Sequence, residues 1–274
     1  METKGLSSHR ERRSLAWTDQ IRKNLPAGAL ALVCLLQPAP AAAEEALIAV
    51  ASNFNAAARE LQTRFEQSGE HTVLITPGST GRLYAQILHG APFDVLLSAD
   101  QETVHRLEAQ GRTVDGTQFT YAIGRIALWS ANGSADVGPV EDRLRQGRYR
   151  SIAIANPRLA PYGAAAREAL QALELWPSVE ARLVTGESIA AVQAMLITGN
   201  ADLGFVPVSQ FAGTDMSRDT HYWAIPQHLY TPIRQDAVLT VHGQNNAAAR
   251  AWLDFLASPA AREIICAHGY GVDE

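Results

Sequence analysis

From residue 46 onward the apolar positions switch repeatedly between two periods, short continuous runs and faces spaced three or four residues apart. The runs Leu47–Ala51, Thr72–Ile75 and Asp94–Leu97 predict strands. Between them, Phe54, Ala57, Leu61 and Phe65 share one helical face, and Leu83, Ile87 and Leu88 share another. Asp100 stands where it can cap a further helix carrying Val104 and Leu107. Past Phe119–Ile123 a similar series begins again. It has strands at Ile126–Trp129 and Ile152–Ala155 and a helix from Tyr162 to Leu173. The segment Arg182–Val184 then leads to a helix with Ile189, Val192, Met195 and Leu196, and Leu203–Val206 is another strand. A final strand, Ala237–Val241, precedes two amphipathic segments marked by Trp252, Phe255 and Leu256, then by Ile264 and Ile265. Strands alternating with helices predict an α/β architecture. Two such series without a low-complexity linker predict two lobes sharing crossover strands, residues 44–123 with 235–274 and residues 124–234. In open sheets of this kind, ligands sit at the carboxyl ends of the strands.

The N-terminus has a different pattern. Arg10, Arg12, Arg13, Arg22 and Lys23 precede an apolar run from Ala27 to Leu36, too short to cross a bilayer. Small residues then lead to Ala41-Ala42-Ala43, an A-x-A pattern before Glu44. Residues 1–43 therefore read as an export signal and the remainder as a secreted, periplasmic protein. Arg12-Arg13 faintly suggests a twin-arginine signal, but the residues after it fit poorly. Ala31-Leu32-Val33 does not place a small residue before Cys34, as a lipid anchor would need.

Beyond residue 43 the chain holds 17 arginines, no lysine and 25 acidic residues, a formal charge of −8. Such an acidic body argues against nucleic acid as a partner. Without lysine no P-loop is possible. The histidines form no pair with metal-ligand spacing. Cys266, the one thiol beyond the signal, lies in a helical pattern and is expected to pack in the core.

Four strand-to-helix junctions carry small hydroxyl residues, Gly, Asn or Pro in place of bulky apolar ones. They are Ala51-Ser52-Asn53-Phe54, Pro77-Gly78-Ser79-Thr80-Gly81, Ala160-Pro161-Tyr162-Gly163 and Gly186-Glu187-Ser188-Ile189. Each should present unpaired backbone N–H groups at a helix start, beside hydroxyl donors. Ordinary N-capping accounts for any one of them. Four converging helix N-termini, each worth roughly half a positive charge, would balance a dianion without Lys or Arg. The glycines flanking Ser79-Thr80 permit close backbone approach. Glu187, the acidic residue at these junctions, is expected to face outward.

At these junctions the sequence resembles the molybdate-binding proteins of ABC importers, over nearly all of the chain from about Ala46 to Val272. The most specific stretches are Gly78-Ser79-Thr80-Gly81 with Tyr84-Ala85-Gln86-Ile87, and Gly90–Val95 ending in Ser98-Ala99-Asp100. Phe119–Gly124, Asn156-Pro157 with Ala160–Gly163, and Ala201–Val206 add to them. The resemblance implies a two-lobed type II periplasmic-binding-protein fold with the ligand cleft between the lobes. It implies capture of molybdate or tungstate by hydroxyl and backbone N–H donors, with no cofactor, no catalysis and no free metal cation. The site residues it implies are Ser52, Asn53, Ser79 and Thr80 in the first lobe, and Tyr162 and Ile189 in the second. The partner it implies is the membrane permease of an ABC importer, met by a monomeric receptor. Two positions depart from the family pattern. Thr80 replaces a second serine, keeping the hydroxyl and adding a methyl. Pro207 stands where some members have a ligand-binding tyrosine.

A fully deprotonated oxyanion only accepts hydrogen bonds, so a donor-only site suits it. Sulfate has the same charge and shape in a smaller size, and phosphate ranks behind it; cavity size decides between them. The rival from another class is an enzyme on the same fold. A tetrapyrrole-forming deaminase shares the two lobes but attaches its cofactor to a cysteine in an arginine-rich site, and Cys266 lies far along the chain from the junctions. Gly186-Glu187-Ser188-Ile189-Ala190 lacks the last glycine of a serine-hydrolase elbow.

Overall fold

The computed structural model describes residues 43–69, 71–131, 138–212 and 221–273. The expected export segment, 1–43, lies outside the described residues apart from Ala43. The first series gives β1 (Glu45–Ala51), a 3₁₀ turn (Ser52–Phe54), α1 (Asn55–Ser68), β2 (Thr72–Gly78), α2 (Thr80–Leu88), β3 (Val95–Leu97), α3 (Glu102–Ala109) and β4 (Phe119–Gly124). The second gives β5 (Ile126–Trp129), α4 (Val140–Arg145), β6 (Ile152–Ala155), α5 (Pro161–Ala172), α6 (Trp176–Glu180), β7 (Leu183–Gly186), α7 (Ile189–Ile197), β8 (Leu203–Pro207) and β9 (Tyr222–Ala224). The chain returns through β10 (Ile233–Leu239), α8 (Ala247–Leu256) and α9 (Pro259–Ala267).

Two five-stranded sheets result, ordered β2-β1-β3-β10-β4 and β7-β6-β8-β5-β9. In each, three parallel strands are followed by an antiparallel strand that has crossed from the other series, β10 in the first and β5 in the second. The molecule is thus a two-lobed α/β protein whose lobes exchange strands. The tight crossing at Gly124-Arg125 joins β4 directly to β5.

The strands are apolar on both sides because helices cover both faces. Along β1, Ile48 and Val50 enter the core under α1, α8 and α9, with Leu61, Trp252 and Ile265. Ala49, between them, faces the opposite core with Leu83, Leu96, Val104 and Leu107. This is the period of two that a pleated strand imposes. The second lobe packs Leu128, Ile152, Ile154, Ala166, Leu196 and Phe205 into one cluster.

Three expectations are corrected. Phe54 is buried as its spacing required, but it ends the 3₁₀ turn and precedes the helix. The last strand begins at Ile233 and ends at Leu239, since the polar run Arg234-Gln235-Asp236 is part of it and Val241 is exposed. Cys266 is exposed, because α9 turns Ala261 and Ile265 inward and leaves the next position on the solvent side. Asp100 does serve the start of α3, accepting the Thr103 N–H at 2.7 Å.

Candidate functional site

The parallel strands β1, β2, β6 and β7 all lead into the cleft between the lobes at their carboxyl ends. There Ala51, Ser52, Asn53, Gly78, Ser79, Thr80, Ala99, Ala160, Pro161, Tyr162 and Ile189 line one small cavity. All six residues singled out from the sequence, Ser52, Asn53, Ser79, Thr80, Tyr162 and Ile189, are among them. Four chain segments far apart in sequence meet because each βα turn ends at the same edge of its sheet.

The donors have distinct histories. Ser79 precedes α2 without a side-chain cap bond, and its buried Oγ has no partner within the protein. The Thr80 Oγ1 accepts the Ala99 N–H at 3.2 Å, so its own proton is left to donate elsewhere. Tyr162 and Ile189 open α5 and α7, where backbone N–H groups lack intrahelical partners. Proline at the first position of α5 removes one such group and fixes the entry angle. Ser188 caps α7 by accepting the Ala191 N–H at 3.3 Å and is not among the residues lining the cavity. The Asn53 side chain is engaged within the protein, with Nδ2 donating to Gln235 Oε1 at 2.7 Å.

No Asp, Glu, Lys or Arg lines this cavity. The one titratable lining residue, Tyr162, is held neutral by burial, which pushes its phenol well above the ordinary tyrosine range. A larger groove of about 400 Å³ runs alongside, lined by Asp100, Glu102 and Glu168 and equally by Arg106, Arg158 and Arg234, so its charges are mixed where the small cavity has none. Burial raises the Asp100 carboxyl above its usual value, against the opposing bonds from Thr103. Among the described residues, no group of three His, Cys, Asp or Glu is placed to hold a metal ion.

The lobes meet over the cavity. The Gly81 N–H donates to Leu159 O of the second lobe at 2.8 Å. A side chain at Gly81 would put its Cβ 3.0 Å from the Leu159 Cα, so the glycine serves the approach of the two lobes. Beside it, Arg82 pairs with Glu187 across the cleft at 2.6 Å. Glu187 faces outward as expected, and its partner on the opposite lobe is what the sequence did not reveal. Gln235 and Tyr270 were also missed; both lie directly behind Asn53 and carry no local motif.

A family model for bacterial extracellular solute-binding proteins matches residues 46–271. The chain is 43% identical over 248 residues to the molybdate-binding protein of Azotobacter vinelandii, covering 89% of this chain and 95% of that one. It is 44% identical over 254 residues to the molybdate-binding protein of Rhodobacter capsulatus, covering 92% and 98%. Among solved structures, the Azotobacter vinelandii periplasmic molybdate-binding protein superposes with a TM-score of 0.77 at 35% identity, over 84% of this chain and all of that one.

Proposed function

This chain belongs to the bacterial extracellular solute-binding protein family, in its molybdate-binding branch, and on that premise we propose that it captures molybdate, and tungstate with it, for an ABC importer. The observation that carries the reading is the single cavity in which six residues from four strand ends converge, with the Ser79 hydroxyl buried and unpartnered.

A tetrahedral dianion satisfies that set. The Ser79 and Thr80 hydroxyls and the Ser52 side chain donate from the first lobe, together with the Asn53 N–H. The N–H groups of Tyr162 and Ile189 donate from the second lobe, along the axes of α5 and α7. Helix N-termini supply partial positive charge that needs no counter-ion and no protonation. Hydrogen bonds to a charged group contribute roughly 1.5–3 kcal/mol each, so five or six support tight binding after ordering costs. The ligand's last donors come from the opposite lobe, so binding and closure are one event. A protonated anion such as hydrogen phosphate brings a donor, and this cavity has no carboxylate among its lining residues to receive it.

The protein acts as a receptor without catalysis or cofactor. It works in the periplasm after removal of residues 1–43, as a monomer with lobes at 44–123 plus 235–274 and at 124–234, and delivers its ligand to the importer's membrane permease. Calorimetric titration of the purified protein with molybdate, tungstate, sulfate and phosphate tests the reading. One-to-one binding of molybdate and tungstate is expected, with sulfate and phosphate silent. Preference for sulfate would keep the site and change the cargo; no heat from any of the four would remove the reading.

A further inference from the structure

Asn53, which lines the cavity, is held by two side chains that are not among the lining residues, Gln235 and Tyr270. Asn53 Nδ2 donates to Gln235 Oε1 at 2.7 Å and, more weakly, to the Tyr270 hydroxyl at 3.4 Å. The Tyr270 hydroxyl donates to Asn53 O at 2.7 Å and accepts from Ser209 Oγ at 2.9 Å. Asn53 is therefore fixed at both its side chain and its carbonyl, which leaves its turn little freedom to rotate.

Gln235 is out of place on packing grounds. It is wholly buried on the crossover strand β10, and its Nε2 has no partner. An unsatisfied buried amide nitrogen is costly, and an apolar side chain of the same length would avoid it at the expense of the acceptor for Asn53. The register of β10 against β4 also shifts between Gln235 and Asp236, the kind of bulge that re-aims a side chain beside a site. Gly124, where the chain crosses between lobes, completes the arrangement. A Cβ there would lie 2.1 Å from the Tyr162 hydroxyl and 3.2 Å from Gln235 Nε2. The phenol of Tyr162, whose backbone faces the cavity from the second lobe, thus extends into the same buried cluster. Burial pushes Tyr270 up to about 12, so its hydroxyl remains a donor throughout the working pH range.

We infer that Gln235 and Tyr270 are positioning residues of the oxyanion site. They hold the Ser52-Asn53 turn with its N–H groups toward the cavity, and through Ser209 and the Tyr162 phenol they tie that orientation to the docking of the second lobe. The inference rests on the oxyanion reading and adds residues outside the cavity to it.

The test compares molybdate affinity and ligand-free melting of wild type, Gln235→Met and Tyr270→Phe, and of Gln235→Met in an Asn53→Ala background, which keeps the backbone N–H. Losing one such bond is worth about fivefold. Tyr270→Phe should weaken molybdate by about fivefold or more, and Gln235→Met by about threefold or more. Ligand-free melting of Gln235→Met should change little, since removing the unpartnered Nε2 offsets the lost bond from Asn53 Nδ2; a residue serving stability alone would lower melting along with affinity. In the Asn53→Ala background, Gln235→Met should cost less than about twofold further, because its route to the anion has been removed. Wild-type affinity in both single variants overturns the inference, as does an undiminished Gln235→Met loss in the Asn53→Ala background. If Tyr270→Phe does not fold, Ser209→Ala takes its place, with about twofold loss expected and none overturning the inference. Wild type that binds neither molybdate nor tungstate defeats the oxyanion reading itself, a result distinct from any of these.

Discussion

Two buried polar regions of this protein use the same donor chemistry to opposite ends. Around Asp236, on the strand that returns from the second lobe, the carboxylate takes Gln118 Nε2 at 2.6 Å, Thr120 Oγ1 at 2.7 Å and Gln101 Nε2 at 3.3 Å. An oxyanion is already present there as part of the chain, and amide and hydroxyl donors satisfy it. In the cleft, the hydroxyl of Ser79 and the first N–H groups of α5 and α7 surround a space with no carboxylate among its lining residues. Buried donors without an acceptor cost free energy unless something supplies one. The contrast teaches that a binding site is legible as a deficit: around Asp236 the donors meet an acceptor of the chain itself, and in the cleft the Ser79 hydroxyl meets none.

Giving the cleft its own anion should abolish the difference. Ser79→Asp places a carboxylate among the donors and should weaken molybdate at least hundredfold by calorimetry, through both competition and like-charge repulsion. Unaltered affinity would mean that Ser79 lies outside the site. The converse change, Asp236→Asn, turns a saturated acceptor into a group that presents N–H to donors. It should lower stability by about 2 kcal/mol in denaturant unfolding and leave molybdate affinity within about threefold. Removing one donor is a smaller perturbation than inserting a charge. Ser79→Ala and Thr80→Ala should each cost at least tenfold in affinity, about 1.4 kcal/mol. The smallest effect belongs to the mouth of the cleft. Glu187→Gln breaks the exposed pair with Arg82 and should raise the molybdate dissociation rate only about two- to fivefold, an increase that shrinks as salt is added. A salt-independent increase would point to a packing role for Glu187.

Much of the fold was legible because its signals are local. The continuous apolar run Leu47–Ala51 and the helical spacing of Ala57, Leu61 and Phe65 are set within a few residues. So is the hydroxyl-rich start of α2 at Ser79-Thr80, flanked by its glycines. Failures came where a long-range partner overrode the local pattern. Arg234-Gln235-Asp236 looks unlike a buried strand, yet Gln235 and Asp236 are buried, with the Gln235 Oε1 bonded to Asn53 and the Asp236 carboxylate to Gln118, each more than a hundred residues away. Asn53 lines the cavity while its side-chain amide is committed to Gln235, a partner no local pattern announces.

By itself the sequence determined the α/β alternation, the return of the chain to its first series, and the four junctions where donors would stand at helix starts. Each depends on periodicity, capping and turn chemistry, which act over one or two turns of chain. Only the tertiary structure decided which of those donors would remain unpaired. It decided that the Thr80 hydroxyl would be occupied as acceptor and free as donor, that Arg82 would meet Glu187 across the cleft, and that Cys266 would face solvent. Satisfaction of a buried polar group depends on whatever neighbours the whole fold brings within about 3 Å, and no local window of sequence contains those neighbours.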